Sequence, residues 1–409
     1  MVSTTADFQE LTHTGRANNS ISSAIPVGYP APIGTTIPGI SFRGVVYGGS
    51  GYAQENLMVV MAIARARIPV GIEPLITQFD VENLLPQEIR TALELIKLQS
   101  IDLSRGVFFQ SAPAHDFQTN RSARRLVGRT MFETDRIPDG WVEKCNKLDE
   151  IWVPSSFNVE TFIRAGVKEH KLLRMQEGED TNLFHPDNPP FRIPGSRNFN
   201  FLSVFQWTQR KGPDILLKAF IREFKEDEDV ALILRCYGRT GPDSDLLPDL
   251  LHYIERELHV PLEKTPPILL IPGQIPNQEL PRLYTSADCF VLPSRGEGWG
   301  RPYVEALCSE MPVIATRWSG QLDFLNDANS YLIDCKLGPT PCDTDTEIFA
   351  GHQWAEPDVN HLCSLMRHVY THHAEAKEKA RIGRKEMVDK HDRNVIMGQW
   401  IAEIQRLLS

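Results

Sequence analysis

The strongest signal for the fold of this chain lies in the segment Ser294-Arg295-Gly296-Glu297-Gly298-Trp299-Gly300-Arg301-Pro302-Tyr303-Val304-Glu305-Ala306-Leu307. The apolar run before it predicts a strand that ends at Ser294, and Pro302 is typical of the first turn of a helix. Between them, a glycine-rich turn lets the backbone approach a ligand closely. The free N–H groups at the start of a helix attract phosphate. We therefore expect an anion-binding site at this turn.

Two carboxylates, Glu297 and Glu305, flank the expected anion site. Because carboxylates repel phosphate, we expect them to bind hydroxyl groups. A sugar nucleotide has a diphosphate with hydroxyl-bearing sugars on both sides of it. Backbone amides that bind phosphate, between two acids that bind hydroxyls, are therefore complementary to such a ligand. The alternative is an ordinary strand–helix turn, with a solvated Glu297 and a helix-surface Glu305. The residues alone leave both interpretations open.

Short apolar runs alternate with helical patterns on both sides of this motif, which predicts βαβ units and parallel sheets covered on both faces. The pattern predicts strands over 42–47, 71–76, 106–110, 126–132, 151–153, 199–205, 230–237, 268–271, 289–293 and 313–316. Predicted helices cover 51–66, 85–98, 214–224 (capped by Asp214), 245–258, 278–287, 301–310 and 395–408. We expect an α/β chain of two Rossmann-like domains that face each other across a cleft. Ligands of such domains bind at the carboxyl ends of the strands.

The domain boundaries follow from the turn-forming residues. A Pro/Gly-rich leader covers 1–40, and a segment dense in helix breakers, Asn182–Pro190, indicates a linker. We expect an N-terminal acceptor-side domain over 41–187 and a C-terminal donor-nucleotide domain over 188–385. A closing helix lies within 386–409, and packing back on the N-terminal domain is one option for it.

Composition excludes several classes of protein. The chain has 409 residues, a formal net charge of −10, 41% hydrophobic residues and 23% charged residues. This is globular composition rather than that of a disordered chain. We find no apolar run of the roughly 18 residues that a membrane helix needs. The acidic balance argues against nucleic acid as a partner and against a strongly polybasic membrane anchor, although it leaves peripheral membrane contact open.

The cysteines indicate a reducing compartment. Their number, seven, is odd, and no C-x-x-C pair occurs. We therefore expect reduced thiols rather than disulfides, and a cytoplasmic protein without a secretory signal. Neither the cysteines nor His372 and His373 have a convincing spacing for a metal site.

The spacing of Glu297 and Glu305, within a G-E-G-W-G-x-P-x-x-E-A context, resembles the E-x7-E motif of the family-4 retaining glycosyltransferases. The resemblance extends from residue 42 onward and implies a GT-B fold. It implies that Glu297 contacts the hydroxyls of the donor sugar and that Glu305 binds the ribose. Arg301 replaces a residue that is commonly aliphatic in the family. Donor-binding roles, mostly through the backbone, are implied for Gly298, Trp299, Gly300 and Arg301.

Two adjacent cations, Arg210 and Lys211, follow the predicted strand 199–205. They could clamp a diphosphate and stabilise its charge as the glycosidic bond breaks, or they could form a solvated basic turn. The family resemblance favours the clamp and matches its lysine to Lys211. The family's arginine position holds Phe205-Gln206-Trp207 here, so we place the second cation at Arg210.

Loops after the N-terminal strands hold further candidates. Gly49, Ser50 and Gly51 form either a tight turn or a loop that approaches the ligand, and the resemblance favours the second. A lone histidine such as His115 is more often a structural hydrogen-bonding residue, but the resemblance implies that it contacts the donor sugar. Glu133 and Asp135 either contact acceptor hydroxyls or cap a turn.

Loops that follow two C-terminal strands, at Tyr237 and Gln274, line the nucleobase pocket in the family. The residues present do not distinguish uracil from guanine. We therefore expect donor binding from both residues without assigning the base.

Together these features predict a metal-independent retaining hexosyltransferase that uses a UDP- or GDP-linked sugar as substrate, without a cofactor. The acceptor could be a carbohydrate, a lipid-linked sugar or a small molecule. Two rivals stay open: a sugar-nucleotide epimerase of the same architecture, and a non-catalytic protein that binds sugar nucleotides.

Overall fold

The computed structural model describes residues 2–4, 36–48, 50–75, 85–238, 246–271, 275–341 and 347–409. Most of the predicted leader, the candidate site residues Gly49 and Gln274, and Cys342 lie outside these residues. In the part that is described, helices and parallel strands alternate along most of the chain.

The described strands are β1 (Val2–Thr4), β2 (Thr36–Ile37), β3 (Ile40–Gly44), β4 (Val70–Pro74), β5 (Ser100–Ile101), β6 (Val107–Ser111), β7 (Arg125–Arg129), β8 (Glu150–Val153), β9 (Leu172–Arg174), β10 (Phe199–Gln206), β11 (Val230–Tyr237), β12 (Ile268–Ile271), β13 (Cys289–Leu292), β14 (Val313–Thr316), β15 (Tyr331–Ile333), β16 (Cys335–Pro339) and β17 (Gln353–Pro357). The described α-helices are α1 (Gly51–Arg65), α2 (Gln87–Lys97), α3 (Asp139–Asn146), α4 (Ser156–Ala165), α5 (Pro213–Glu223), α6 (Leu247–His252), α7 (Leu280–Tyr284), α8 (Arg301–Cys308), α9 (Val359–Thr371), α10 (His373–Glu386) and α11 (Arg393–Leu408).

The chain forms two compact units. The N-terminal unit comprises Asn18–Gly178 and Lys390–Ser409, and the C-terminal unit comprises Met1–Ala17 and Glu179–Asp389. The division between them falls after Gly178, ahead of the turn-rich segment that the sequence indicates as a linker. Helix α11 belongs to the N-terminal unit.

A six-stranded parallel sheet in the order β4-β3-β6-β7-β8-β9 forms the centre of the N-terminal unit. The strand order reverses between β3 and β6, so the segments that leave these two strands diverge. Helices α1 and α11 contribute to the hydrophobic core, where Trp400 of α11 packs against Trp152 of β8 at 5.1 Å between ring centroids. The closing helix therefore completes the core of this unit.

The C-terminal unit has a seven-stranded parallel sheet in the order β1-β12-β11-β10-β13-β14-β15. From β10 onward this is the 3-2-1-4-5-6 order of a Rossmann fold, in which ligands bind where the order reverses. The reversal falls between β10 and β13. Strand β13 is fully buried, as expected for a parallel strand covered on both faces.

The predicted α/β class with two Rossmann-like domains is confirmed, with local differences. The helix expected over 245–258 is shorter and passes into a π-helix over Tyr253–Glu257, and the one expected over 278–287 is reduced to α7. The predicted cap at Asp214 is wrong: Gly212 caps α5, and Asp214 binds Arg295 instead. An acidic residue at a helix start gives the same sequence signal for a cap and for an ion pair.

Candidate functional site

The turn between β13 and α8 has the geometry that its sequence predicts. Gly300 caps the helix with φ +99°, and a Cβ there would lie 2.7 Å from the ring of Tyr303. The hydroxyl of Tyr303 donates to the carbonyl of Leu292 at 2.7 Å, which fixes the helix against the end of the strand. Glycine is therefore required at position 300 for both its backbone conformation and its small size.

Lys211 and Arg210 converge on Glu297 at the point where the strand order reverses. Both lie in a 3-10 turn, Gln209–Lys211, that follows β10. The Nζ of Lys211 donates to the two carboxylate oxygens of Glu297 at 2.6 and 2.8 Å. Nη1 of Arg210 donates to Glu297 Oε2 at 3.3 Å and to the carbonyl of Gly296 at 2.6 Å. Three residues predicted from sequence thus form one partly buried cluster.

The cluster keeps Glu297 ionised. Burial alone would raise the pKa of this carboxyl, but the charges of Lys211 and Arg210 together outweigh burial and hold the pKa below its usual range. The backbone N–H of Glu297 donates to the Ser319 hydroxyl at 2.9 Å. Contacts to both its backbone and its side chain therefore hold Glu297 in place.

Glu305 has a different environment, although it lies on the same motif. The Tyr284 hydroxyl donates to its Oε2 at 2.6 Å, and the Nε of Arg301 lies 4.0 Å from its Oε1. Burial and the neighbouring charge of Glu179 raise the pKa of Glu305 to about 7, against the opposing effect of Arg301. Arg301 itself donates to Glu179 at 2.6 Å. Neither Tyr284 nor Glu179 was among the site residues predicted from the sequence.

Gly298 and Trp299, which lie between the two glutamates of the motif, can offer main-chain atoms to a ligand, while the side chain of Trp299 packs in the core. Trp299 is buried, and its ring packs on that of Phe324 with centroids 4.9 Å apart. A Cβ on Gly320 would lie 2.1 Å from the carbonyl oxygen of Gly298, so this loop packs directly on a second glycine. Only main-chain atoms of Gly298 and Trp299 are thus suited to face a ligand here, because the indole is committed to the core.

Arg295 organises the same loop and was not among the predicted site residues. It forms a bidentate pair with Asp214 at 2.8 and 2.7 Å, and its Nε donates to Glu356 at 3.0 Å. Burial lowers the pKa of Arg295, but the two carboxylates more than compensate and raise it above the ordinary value. Arg295, Asp214, Trp207 and Tyr253 also help to line a cavity of about 410 Å³.

At the end of β11, Tyr237 lies beside a buried arginine. The guanidinium carbon of Arg235 is 5.5 Å from the centre of the Tyr237 ring. Burial raises the pKa of Tyr237, the charges of Arg235 and Arg210 lower it, and Glu305 raises it. Tyr237 therefore lies within electrostatic range of two predicted site residues, Arg210 and Glu305.

In the N-terminal unit, the predicted glycine-rich loop precedes α1. The hydroxyl of Ser50 accepts from the backbone N–H of Ala53 at 3.2 Å and so caps this helix, which begins at Gly51. Ser50 thus has a structural role that its sequence context also allows.

His115 lies in the turn that follows β6, on the other side of the reversal in strand order. Its ring centroid is 5.7 Å from that of Trp141, and its Nε2 is 3.6 Å from Asp116. The side chain is 56% exposed, so its surface is accessible within this unit.

Glu133 and Asp135 follow β7. Asp135 is buried and lies 3.6 Å from the Nε of Arg136. The pKa of Tyr52 is raised, mainly by burial and in addition by the nearby charge of Glu133. Helix α3 begins without a side-chain cap, so neither carboxylate caps it.

A buried ionic cluster lies beneath these loops and was missed by sequence analysis. Arg129 at the end of β7 pairs with Glu55 of α1, lies 3.6 Å from Glu177, and packs 5.6 Å from the ring of Trp400. Neither Arg129 nor Glu55 is more than 1% exposed. The one available signal was a charged residue, Glu55, within an otherwise apolar helix.

Within the described ranges, no group of three or more His, Cys, Asp or Glu residues is arranged to hold a metal ion. The six described cysteines form no disulfides. A search of the same residues finds no helix with the length and apolarity to cross a membrane.

Comparisons with known proteins return similar sequences for the C-terminal part of the chain. Residues 196–337, which include Lys211, Glu297 and Glu305, match the family model for glycosyl transferases group 1. The chain is 28% identical over 160 residues to mannosylfructose-phosphate synthase of Agrobacterium fabrum, covering 38% of this chain and 34% of that protein. It is 31% identical over 140 residues to D-inositol 3-phosphate glycosyltransferase of Corynebacterium kroppenstedtii, covering 34% and 29%. The chain thus spans about a third of the length of these curated relatives.

Solved structures show the likeness in fold. The Anabaena protein HepE, solved with UDP and glucose, matches with a TM-score of 0.61 at 16% identity over 90% of this chain and 100% of that one. Sucrose-phosphate synthase of Thermosynechococcus elongatus matches with a TM-score of 0.63 at 14% identity, over 91% and 99%. These likenesses confirm the predicted GT-B fold class. Both kinds of comparison include proteins named as glycosyltransferases.

Proposed function

We propose that the chain is a retaining glycosyltransferase that moves a hexose-type sugar from a UDP- or GDP-linked donor to an acceptor hydroxyl. One observation carries the proposal. Lys211, Arg210 and Glu297 form a partly buried cluster at the reversal in strand order of a Rossmann-like sheet, and Glu305 follows on the helix that starts there. This edge of the sheet is where such folds bind nucleotides.

The chemistry of the cluster suits departure of a nucleoside diphosphate. Lys211 and Arg210 bring two positive charges to the turn that precedes α8, whose first N–H groups favour anions. Positive charge held in place stabilises the negative charge that develops on a leaving phosphate. In the proposal these residues do so without a metal ion. Glu297, kept ionised, accepts from hydroxyls of the donor sugar.

Glu305 is proposed to bind the ribose. Its carboxyl is buried and held by Tyr284, so it is oriented before a ligand arrives. A carboxyl at this position can accept hydrogen bonds from neighbouring ribose hydroxyls. His115, Glu133, Asp135 and the loop at Ser50 are proposed to serve the sugar and the acceptor.

The acceptor and the cellular setting belong to the proposal as well. A glycan, a lipid-linked sugar and a small metabolite all present a hydroxyl that the reaction could use. One relative, 26% identical over 215 residues, is a GDP-mannose-dependent phosphatidylinositol monomannoside mannosyltransferase of Mycolicibacterium smegmatis. A cytoplasmic protein with peripheral membrane contact would be compatible with a lipid-linked acceptor.

The test is a transfer assay with UDP-glucose and GDP-mannose and a panel of sugar, polyol and lipid-linked acceptors, followed by NMR. We expect acceptor-dependent release of UDP or GDP and a product with the donor's anomeric configuration. Glu305→Ala should abolish most of the release, while Glu255→Ala, an exposed carboxylate of the same unit, should not. An inverted product would overturn retention, and an epimerised donor without acceptor would favour an epimerase. Release from no donor, with nucleotide binding intact, would favour a binding protein.

A further inference from the structure

Arg235, near the end of β11, is a buried cation that has no ionic partner among the described residues. Only 8% of the residue is exposed. Its Nε is buried and has no hydrogen-bond partner, and among the described residues it forms no hydrogen bond or salt bridge. Burial lowers the pKa of Arg235, and the groups that oppose this are uncharged tyrosines and a thiol rather than carboxylates.

Other cations of the C-terminal unit that are buried or partly buried do have carboxylate partners. Arg295, Arg301 and Lys211 each have a carboxylate oxygen at 2.7, 2.6 and 2.6 Å, respectively. A buried charge without a partner is strongly destabilising, because the protein does not replace the water that it loses. Arg235 therefore lowers the free energy of unfolding in a way that Arg295, Arg301 and Lys211 do not.

The surroundings of Arg235 leave room for a ligand. Val204 and Gln206 on β10 are in register with Arg235 and Tyr237 on β11, so all four lie on one face of the sheet. Although these strands are in the middle of the sheet, Val204, Gln206 and Tyr237 are only partly buried. This face of the sheet is thus partly exposed beside Arg235.

This partly exposed face adjoins the candidate site. Tyr237 is close enough to Arg235, Arg210 and Glu305 for each to influence its hydroxyl. Arg235 also lies within range of Tyr284, the residue that donates to Glu305. The unpaired cation therefore belongs to the same edge of the sheet as the residues proposed to hold the donor.

We propose that Arg235 binds a phosphate group of the nucleotide donor, as a further phosphate-binding residue beside Lys211 and Arg210. The inference rests on the proposed function. A phosphate supplies the missing negative charge, and a guanidinium can bind it through two N–H groups at once. A phosphorylated acceptor could supply the same chemistry, but Arg210 and Glu305, the charged neighbours of Tyr237, are donor-binding residues in our proposal.

The test is calorimetric titration of the full chain and of Arg235→Met with UDP, GDP, uridine, guanosine and glucose 6-phosphate. We expect the variant to lose roughly tenfold to a hundredfold in affinity for the diphosphate that binds the wild type, as for loss of a charge-assisted hydrogen bond. Affinity for the nucleoside should stay the same, and Arg235→Lys should recover part of the loss. The midpoint of unliganded thermal unfolding should not fall in Arg235→Met, since the variant removes an unpaired buried charge.

A matched control is Arg367→Met. Arg367 pairs with Glu223 and Glu228, so this variant should lower the unfolding midpoint and leave affinity unchanged. Unchanged diphosphate affinity in Arg235→Met, with a loss in Glu305→Ala, would overturn this inference and leave the proposed function standing. A loss confined to glucose 6-phosphate would overturn the assignment to the donor. Absence of nucleotide binding by the wild type would overturn the proposed function and this inference with it.

Discussion

The two sheets each reverse their strand order once, between β3 and β6 in the N-terminal unit and between β10 and β13 in the C-terminal unit. In the C-terminal unit, charged residues occupy the loops at the reversal: Lys211 and Arg210 on one side and Glu297 on the other. In the N-terminal unit, these loops carry a helix cap at Ser50 and an exposed His115. Among the described residues, these loops thus hold a network of three ion-paired charges in the C-terminal unit, whereas in the N-terminal unit they hold an exposed contact between His115 and Asp116.

The N-terminal unit does have a buried ionic cluster, but it lies beneath the loops and includes Arg129, Glu55 and Glu177. Its members hold α1 to the sheet and pack against Trp400 of α11. Burial of charge therefore does not by itself indicate a ligand site. Position relative to the reversal in strand order separates the two roles, and the following predictions test that separation.

The largest effect is expected from Arg129→Met. This variant leaves Glu55 and Glu177 buried without their cation, which should lower the free energy of unfolding by about 3–5 kcal/mol. Chemical denaturation followed by circular dichroism measures this change. Lys147→Met, which removes an exposed lysine paired with the exposed Glu143, serves as control and should cost less than about 1 kcal/mol. A loss of nucleotide affinity in folded Arg129→Met would contradict a purely structural role.

Lys211→Met should act mainly on transfer. Loss of one preorganised donor to a developing negative charge typically costs about 3–4 kcal/mol, or on the order of a hundredfold to a thousandfold in kcat. Steady-state kinetics of Lys211→Met, with Lys211→Arg as the charge-retaining control, measures the effect. If kcat stayed within threefold of the wild type in both variants, Lys211 would have no role in stabilising the leaving group.

Glu305 should make stability depend on pH. Because the folded protein raises the pKa of this carboxyl from 4.5 to about 7, it binds a proton that the unfolded chain has already released. Stability should therefore fall as pH rises through this window, by on the order of 1–3 kcal/mol from this group. Unfolding of Glu305→Gln and of the wild type, measured at pH 4.5, 6 and 8, checks the sign. The variant should lack this part of the decrease, and parallel curves would refute the raised pKa.

The smallest effect on nucleotide binding is expected from His115→Ala. His115 is exposed and belongs to the N-terminal unit, whereas the proposed nucleotide site lies within the C-terminal unit. Titration with UDP or GDP should give an affinity within about twofold of the wild type, even if transfer is slower. A tenfold weaker affinity would show that the nucleotide site does not lie in the C-terminal unit alone.

Sequence reasoning could place the loops after β10 and β13 at one edge of the sheet, because such loops meet wherever the strand order reverses between their strands. Lys211 and Glu297 could thus be brought together from the alternation of strands and helices. Tyr284 and Glu179 could not, since each lies in a segment whose local pattern carries no chemistry. Their contact with Glu305 and Arg301 depends on how α7 and α8 pack.

Other misses have the same physical origin. Asp214 satisfies the rule for a helix cap, and only the packed structure shows that Arg295 competes for its carboxylate. Arg235 is the one charged residue of an otherwise apolar strand, and Glu55 lies in a mostly apolar helix. In both cases the pattern that predicts the element does not indicate what the charge contacts. Periodicity predicts the elements, but it does not predict which buried charges have partners.

The most direct test of the central claim is a ligand-induced thermal shift of the wild type with UDP, GDP, UDP-glucose and GDP-mannose, with Lys211→Met alongside. A ligand that binds only the folded state raises the unfolding temperature. We predict a concentration-dependent rise with either the uridine or the guanosine compounds, and a smaller rise in the variant. No shift with any of the four, at millimolar ligand, would contradict the account.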